Sequence, residues 1–365
     1  MIAAARRDSQ SAKLLVVDAE GAIRHLPRAR LGALFSQGDL VIANDAATLP
    51  ASLTGIHCGS GKPIEIRLAA WLSVRDPTRF AAIAFGAGDH RTPTEKRMPP
   101  PLLPGDQLAF GPLMAIVEHP LNDPHLYRLR FLGDRSTIMA GIARQGRPIQ
   151  YAHVRESLSL RDVWTKIAAD PIAFEPPSAG LALDWRTLEN WRQRGIGFAT
   201  LTHVAGISST GHPKLDLRLP FDEPYRIPER TAVAIRRAKS KAKRIIAIGT
   251  TVVRALESAS FADGSVRAGD GIASKHLGRE TSLRVVDTLL TGLHQPGDSH
   301  FELLRAFADE TVLRQLSAVC IRNGYRIHEF GDSMLIEHRR IAVRRSFSLL
   351  RCARAVTTEP HLEMN

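Results

Sequence analysis

Short apolar runs that stop at a glycine or a polar residue recur along the chain and predict strands. Residues 14–17, 40–43 and 245–248 are each four consecutive apolar residues. Runs of this length are typical of buried strands in a parallel sheet. Helical spacing of apolar residues appears at 187–195, which ends at a glycine, and again at 301–307 and 312–316. Strand and helix patterns alternate, so we expect an α/β main domain.

The pattern changes between about residues 61 and 150. Residues 63–68 and 126–131 alternate apolar and polar side chains, and a proline-rich stretch at 97–106 lies between such runs. Period-two alternation over short distances, with proline and glycine turns between the runs, is typical of antiparallel strands. This middle region therefore predicts a small antiparallel barrel or sheet.

Residues 245–258 contain the first group of candidate site residues. The predicted strand ends at Gly249, and Thr250 and Thr251 open the predicted helix, so either hydroxyl can cap it. A helix start that follows a strand is suited to an anionic or polar ligand, and Arg254 lies one turn further on. The alternative is a capped α/β crossover in which Arg254 pairs with Glu257.

Asn44 and Asp45 directly follow the predicted strand at 40–43. Ligands of open α/β sheets gather outside the carboxyl ends of the strands, which makes both residues site candidates. The alternative is an Asx turn that closes the strand.

Composition favours a soluble protein of ordinary globular type. The 365 residues are 44% hydrophobic and 24% charged, and no apolar run reaches the length of a membrane span. Three widely spaced cysteines give neither a disulfide framework nor a metal-ligand spacing. We expect a cytoplasmic protein without a metal. Dinucleotide, P-loop, nucleophile-elbow and zinc-protease motifs are absent from the sequence.

The formal net charge of +12 changes the picture, because a positive field attracts polyanions such as nucleic acid. The densest basic patch directly precedes the strand at 245–248. The alternative for this patch is a solvated helix face. Its candidate nucleic-acid-binding residues are Arg236, Arg237, Lys239, Lys241, Lys243 and Arg244.

Several segments, in order along the chain, resemble the motifs of one enzyme family. They are residues 38–55, 175–181, 201–204, 246–258 and 325–336, and Glu65 stands where the family has a glutamate after a glycine-rich turn. The family is that of the S-adenosylmethionine:tRNA ribosyltransferase-isomerases. Because order and spacing hold over most of the chain, the sequence is identified as a divergent member.

The resemblance implies an α/β main domain that carries an inserted small antiparallel β-barrel domain. We expect the main domain at residues 1–60 plus 151–340, the barrel at 61–150, and a basic, polar tail at 341–365. The resemblance also implies transfer and isomerisation of the ribosyl part of S-adenosylmethionine onto the 7-aminomethyl-7-deazaguanine wobble base of tRNA. Epoxyqueuosine forms, and adenine and methionine leave. S-adenosylmethionine would be the co-substrate and tRNA the partner of a protein that we expect to be a monomer.

Candidate roles follow from the chemistry that the resemblance implies. A base must act near the carbon beside the sulfonium, and His203, Asp45 and Glu223 are titratable groups at strand ends or in loops. The basic patch at 236–244 would bind tRNA. The expected substrate-binding residues are Asn44, Glu65, Ser178, Gly249, Thr250, Thr251 and Arg254.

The chain departs from the family pattern at several polar positions. Ser52 stands in place of an arginine and Ala182 in place of a histidine, the segment 293–301 lacks a lysine, and the segment 215–225 lacks paired histidines. Small neutral side chains cannot replace arginine or lysine as ligands for anions. The alternative function is therefore a non-catalytic paralogue that binds tRNA or a nucleoside.

Overall fold

The computed structural model describes residues 2–4, 11–73, 76–121 and 125–338, so the predicted tail at 341–365 lies outside the described residues. The strands are β1 (Ile2–Ala3), β2 (Lys13–Val17), β3 (Ile23–Pro27), β4 (Leu40–Asn44), β5 (Ala47–Thr48), β6 (Ser52–His57), β7 (Pro63–Trp71), β8 (Arg79–Phe85), β9 (Gln107–Phe110), β10 (Leu113–Pro120), β11 (Leu126–Phe131), β12 (Gly146–Arg147), β13 (Pro171–Ala173), β14 (Gly197–His203), β15 (Glu223–Ile227), β16 (Ile245–Ile248), β17 (Gly269–Ala273), β18 (Thr288–Gly292), β19 (Arg326–Ile327) and β20 (Ser333–Glu337).

Most helices lie outside the middle region, and the first lies within it. The helices are α1 (Arg135–Gln145), α2 (Leu160–Val163), α3 (Trp185–Gln193), α4 (Pro213–Asp216), α5 (Glu229–Ser240), α6 (Thr250–Ser258), α7 (Ser299–Leu304) and α8 (Glu310–Arg322). Short 3-10 helices cover Arg28–Ala33, Thr94–Lys96 and Ser178–Ala182. Within the described part of the chain, no helix has the length and apolar character that a bilayer crossing requires.

A nine-stranded mixed sheet forms the main domain, in the order β17-β15-β14-β4-β16-β18-β20-β2-β3. The central strands β14, β4, β16 and β18 run parallel to one another, and β2 runs parallel to β20. The three predicted apolar runs correspond to β2, β4 and β16, which confirms them as buried strands.

Helices cover both faces of this sheet, because successive side chains of each strand point to opposite sides. Leu40 and Ile42 of β4 join a core that includes residues of α5, α6 and α8. Val41 and Ala43 of the same strand join a second core that includes Trp191 of α3. Both faces are therefore buried, as expected for a sheet with a parallel centre.

The middle region forms a closed barrel. The order β6-β7-β8-β11-β10-β9 returns to β6 through a β6–β9 pairing, and every neighbouring pair is antiparallel. The fold class, an α/β main domain with an inserted antiparallel β-barrel, is confirmed. Strand β6 starts at Ser52, before residue 61, and the domain boundaries themselves stay predictions.

The chain that follows β14 packs against the barrel. Val204, Ile207, Leu215 and Leu219 belong to the same hydrophobic cluster as the barrel interior. Trp71 of β7 also donates a hydrogen bond from Nε1 to the carbonyl oxygen of Ile172, at 2.9 Å. The carboxyl end of β14 is therefore held between the main sheet and the barrel.

Candidate active site

The site begins where β16 ends and α6 starts. Gly249 joins them with a φ of 97°, in the left-handed region that glycine adopts without the steric cost of a Cβ. Gly249 is the N-cap of α6 and no side chain caps the helix, so the predicted threonine cap is wrong. Asn44 Nδ2 instead donates to Thr251 Oγ1 at 3.4 Å. The first backbone N–H groups of α6, which have no partner within the helix, lie at this edge of the sheet.

A cleft of about 330 Å³ lies at the same edge. Its walls come from segments that are far apart in sequence, including the 3-10 helix at Ser178–Ala182, the start of α6, and residues 291–303 and 328–329. It brings together six of the predicted site residues, namely Ser178, Glu223, Gly249, Thr250, Thr251 and Arg254.

An ion pair between Arg254 and Glu223 crosses the floor of this cleft. Both side chains are more than nine-tenths buried, and Arg254 also donates to the carbonyl oxygens of Phe221 at 3.2 Å and Ala273 at 2.7 Å. Burial lowers the pKa of the Arg254 guanidinium to about 10, so it stays protonated at neutral pH. Arg254 therefore joins α6 to β15 and β17 through buried charge.

The alternative pairing of Arg254 with Glu257 is wrong. The Glu257 carboxylate accepts hydrogen bonds from three consecutive backbone N–H groups of the loop before β18, which belong to Arg284, Val285 and Val286. Glu257 thus fixes a loop, and Glu223 of β15 takes its place as the partner of Arg254.

His203 lies behind Glu223 and is fully buried. Its Nε2 is 3.5 Å from Glu223 Oε2, and neither ring nitrogen has a hydrogen-bond partner among the described residues. Burial, together with the nearby charge of Arg254, holds the pKa of His203 well below its usual value, so the ring is neutral at pH 7. The structure therefore places His203 next to the cleft but outside its lining.

Asn44 fixes the backbone at His203, and Asp45 points elsewhere. The Asn44 amide donates to the carbonyl oxygen of His203 and accepts from its backbone N–H, both at 2.9 Å. It also accepts from the backbone N–H of Ala46 at 3.0 Å, which is the Asx turn considered as the alternative. Asp45 accepts from the Thr202 hydroxyl at 2.7 Å and does not line the cleft.

Two rings, each hydrogen-bonded to a carboxylate, form the opposite wall. The Tyr151 hydroxyl donates to Glu175 Oε1 at 2.5 Å, and His153 Nε2 lies 3.0 Å from Glu329 Oε2. The two rings are nearly parallel, with an interplanar angle of 7°. Burial raises the pKa of Glu175. Burial opposes ionisation of Glu329 as well, but the hydrogen bond and charge of His153 outweigh it and lower the pKa.

Further histidines complete this wall. His328 stacks on His153 with ring centroids 4.2 Å apart, and His294 stacks on His300 at 4.8 Å. Burial, together with the neighbouring imidazoles, lowers the pKa of His294 well below its usual value, and burial also lowers those of His300 and His328. These three rings are therefore neutral at pH 7. Among the residues described, no group of His, Cys, Asp or Glu is arranged to hold a metal ion.

Glu65 lies in the barrel wall and not in the cleft lining. Its buried carboxylate accepts from Arg67 Nε at 2.7 Å, Arg97 Nη1 at 2.5 Å and the Ser52 hydroxyl at 2.8 Å. Burial opposes ionisation, but the two guanidinium groups outweigh it and lower the pKa of Glu65. The Arg67 guanidinium is 5.5 Å from the centre of the Tyr151 ring. Glu65 is thus connected to the cleft through Arg67 and Tyr151.

The predicted basic patch covers the end of α5 and the turn that follows. Arg236, Arg237 and Lys241 are exposed, and Lys239 and Lys243 are half-buried. Lys239 Nζ donates to the carbonyl oxygen of Arg284 at 2.5 Å. Arg244 is bound more firmly, because its guanidinium contacts Asp39 Oδ2 at 2.6 Å and Glu337 Oε1 at 3.1 Å.

Comparisons with known proteins place this chain in a family. The family model described as "Queuosine biosynthesis protein" matches residues 2–336. The chain belongs to this family. It is 30% identical to a protein of Thermus thermophilus over 89% of this chain and 92% of that one. A protein of Citrifermentans bemidjiense is 31% identical, over 91% of this chain and 94% of that one. A protein of Sorangium cellulosum is 33% identical, over 90% of this chain and 93% of that one.

All three relatives carry the name S-adenosylmethionine:tRNA ribosyltransferase-isomerase. A crystal structure of S-adenosylmethionine tRNA ribosyltransferase from Thermotoga maritima is 20% identical in sequence. It aligns with a TM-score of 0.48 over 92% of this chain and 96% of that one.

The family motifs led to one wall of the cleft and missed the other. Residues 246–258 and 175–181 supply Gly249, Thr250, Thr251 and Ser178. Tyr151 and His153 lie outside the family-like segments, and their hydrogen-bond partners are remote in the chain. Glu175 opens the segment 175–181, but nothing in that segment indicates its role. The segments 293–301 and 325–336 contain the remaining missed residues, His294, His300, His328 and Glu329.

Substitution of Arg254 tests the buried ion pair. Arg254→Met leaves the Glu223 carboxylate buried without its partner, so we expect a loss of about 3–5 kcal/mol in the free energy of unfolding. The double variant Arg254→Met/Glu223→Gln should recover part of this loss. Urea unfolding measures both. Arg236→Met, which breaks the exposed pair with Glu229, is the matched control and should change stability little. An equal loss of stability in Arg254→Met and Arg236→Met would contradict a buried, stabilising ion pair at Arg254.

The neutral histidines predict a loss of stability in mild acid. The pKa of His294 is lower in the folded chain than its usual value of 6.5, so the unfolded chain binds protons first as the pH falls. Stability is retained above that value and lost below it, by at most about 1.4 kcal/mol per pH unit for one group. Urea unfolding at pH 7.5 and 5.5 should therefore show a smaller acid loss for His294→Gln than for the wild type. His119→Gln, an exposed control on β10, should behave as the wild type does.

Proposed function

We propose that this protein transfers and isomerises the ribosyl part of S-adenosylmethionine onto the 7-aminomethyl-7-deazaguanine base of tRNA. The product is epoxyqueuosine, and adenine and methionine are released. The observation that carries the proposal is the family match along residues 2–336, supported by relatives that carry this name and align over about nine-tenths of the chain. The cleft contains polar groups that suit such a reaction.

The start of α6 suits the anionic end of S-adenosylmethionine. Backbone N–H groups at a helix N-terminus attract a carboxylate, and the hydroxyls of Thr250 and Thr251 add donors in the same place. The turn at Gly249 brings this helix start to the end of β16, where ligands of parallel sheets bind. We therefore propose that Gly249, Thr250 and Thr251 hold the methionine carboxylate or a ribose hydroxyl, with Ser178 in the same lining and Asn44 behind Thr251.

Glu223 is the member of the predicted catalytic set that lines the cleft, so we assign it the position of the general base. It would accept a proton from the carbon beside the sulfonium. Arg254 holds the carboxylate in place, and the neutral imidazole of His203 lies 3.5 Å behind it. Asp45 lies outside the lining. A substitution of Asp45 would therefore affect the reaction indirectly, through its hydrogen bond with Thr202 of β14.

Release of adenine tests the reaction directly. We expect the purified chain to release adenine from S-adenosylmethionine when tRNA carrying 7-aminomethyl-7-deazaguanine is present, and not with tRNA that carries guanine at that position. Glu223→Gln should reduce kcat by about 100-fold or more, since a positioned general base contributes about 10²–10⁴ to the rate. Chromatography of adenine gives the rate. Tight tRNA binding without adenine would identify a binding protein instead.

The exposed basic residues at the end of α5 are proposed to bind the tRNA backbone. Arg237→Gln/Lys241→Gln should weaken tRNA binding. The slope of log Kd against log salt should also become shallower, because a protein with fewer phosphate contacts releases fewer counterions when it binds. Fluorescence anisotropy from 50 to 300 mM salt (about the range that separates such slopes) measures both effects. Arg135→Gln/Arg144→Gln removes the same charge from the exposed face of α1. Equal weakening by the two double variants would refute a specific role for α5.

A further inference from the structure

The start of α6 presents backbone hydrogen-bond donors that have no acceptor. No side chain caps the helix, and the N–H groups of Thr250 and Thr251 have no acceptor within the described part of the chain. The next N–H group, that of Val252, donates to the carbonyl oxygen of Gly249 at 3.2 Å. Free N–H groups at a helix start carry partial positive charge and attract anions, but they do not define a site on their own.

Two buried side chains of α6 are also left without partners at this place. Thr250 lines the cleft and is 7% exposed, and its hydroxyl has no hydrogen-bond partner among the residues described. Arg254 lines the cleft as well, and its buried Nε is unpaired, although Nη1 and Nη2 are both bonded. Residues four apart share a helix face and lean towards the helix start, so the Arg254 stem lies over Thr250. Because buried polar groups are almost always paired, these groups point to a ligand.

Asn44 determines how the hydroxyl of Thr251 can act. The amide of Asn44 is buried, and its oxygen accepts from the backbone N–H groups of Ala46 and His203. Its Nδ2 donates to the carbonyl oxygen of His203 at 2.9 Å and to Thr251 Oγ1 at 3.4 Å. A hydroxyl that accepts from an amide keeps its own proton for another acceptor. Thr251, which also lines the cleft, is therefore a donor to a ligand.

These donors together favour a ligand group that accepts hydrogen bonds and carries negative charge. An ionised carboxylate is acceptor-only, whereas a sugar hydroxyl also needs an acceptor for its own proton. The rest of the described lining offers a carboxylate no comparable place. It contains no lysine, and its one guanidinium, that of Arg254, already contacts Glu223 through Nη1.

We propose that the start of α6 is a carboxylate subsite formed by Thr250, Thr251 and Arg254 Nε, and that Asn44 is its positioning residue. The inference rests on the function proposed above, in which the carboxylate is that of the methionine part of S-adenosylmethionine. It decides between the two ligand groups considered for this helix start and excludes the ribose hydroxyl. It also adds Arg254 to the ligand contacts and gives Asn44 a role that acts through Thr251.

The test uses isothermal titration calorimetry on the full chain. Unreactive tRNA with guanine at the wobble position is present throughout. The ligands are S-adenosylmethionine, its decarboxylated analogue and its analogue without ribose hydroxyls. We expect S-adenosylmethionine to bind at least about tenfold more tightly than the decarboxylated analogue, as charge-assisted hydrogen bonds predict. Equal binding of these two ligands, or no binding of either, would overturn the subsite.

Thr250→Val and Thr251→Val keep the shape of the side chain and remove the hydroxyl. Each should reduce the ratio of the two affinities by about threefold or more, as the loss of one hydrogen bond predicts. Unchanged affinity for the decarboxylated analogue shows that the variant is folded. Thr251→Ser keeps the hydroxyl and should keep the ratio. Thr137→Val, the same change in the first turn of α1, is the matched control and should also keep it. A ratio that survives both valine substitutions would contradict the subsite.

The third ligand tests the excluded ribose hydroxyl. The two valine variants should leave unchanged the difference in affinity between S-adenosylmethionine and the analogue without ribose hydroxyls. If they reduce that difference instead, the start of α6 binds the ribose and the carboxylate assignment is wrong.

Asn44→Ala tests the positioning role. It should lower the carboxylate ratio in the wild type and lower it no further in Thr251→Val, because the amide acts through that hydroxyl. A merely structural role would weaken the binding of both ligands alike and leave the ratio unchanged. That result, or an equal fall of the ratio in both backgrounds, would remove Asn44 from the proposal.

Adenine release by the wild type with the reactive tRNA, measured in parallel, separates this inference from the proposed reaction. A carboxylate ratio without adenine release keeps the subsite and removes the reaction. Adenine release with a ratio near one keeps the reaction and removes the subsite.

Discussion

The buried ion pair between Glu223 and Arg254 is the interaction on which the geometry of the cleft depends. It joins β15 to α6, and the same guanidinium reaches β17 through the carbonyl oxygen of Ala273. Loss of either charge would leave the other unpaired in a poorly solvated place, which makes the arrangement sensitive to substitution. Because α6 begins at Gly249, this pair also fixes the direction from which its backbone N–H groups approach the cleft. The charge of Arg254 further helps to keep His203 neutral.

Much of the fold could be predicted from local sequence. Four apolar residues followed by Gly249 predict a buried strand and a sharp turn, and β16 and α6 confirm them. Alternating residues in the middle region predict antiparallel strands, and six of them close into the barrel. The start of a helix after a buried strand indicated Thr250 and Thr251, which line the cleft, whereas the rule on the carboxyl ends of strands indicated Asn44 and Asp45, which do not. That any of these residues binds a ligand stays a prediction. These features are predictable because each depends on neighbours within one turn or one strand.

The rest of the site depends on contacts between remote parts of the chain. Spacing along a helix allowed Arg254 to pair with Glu257. The observed partner is Glu223 on β15, a strand that comes near α6 only when the chain is folded. The opposite wall combines Tyr151, Glu175 and Glu329, and no spacing in the sequence relates them. Glu65 matches a family position, yet only the structure shows that two arginines of the barrel surround it. Side-chain partnership of this kind is set by topology and not by local pattern.

The connectivity of the two domains has a consequence for how the protein is made. All strands of the barrel lie within residues 52–147, so its strand pairings can form as soon as that stretch has left the ribosome. The main sheet differs, because Leu14 of β2 is paired with Ser333 of β20. Closing so long a loop is slow, since entropy is lost before the contact is gained. During synthesis, strand β2 therefore emerges long before β20 but pairs with it in the sheet only after residues 333–337 have followed.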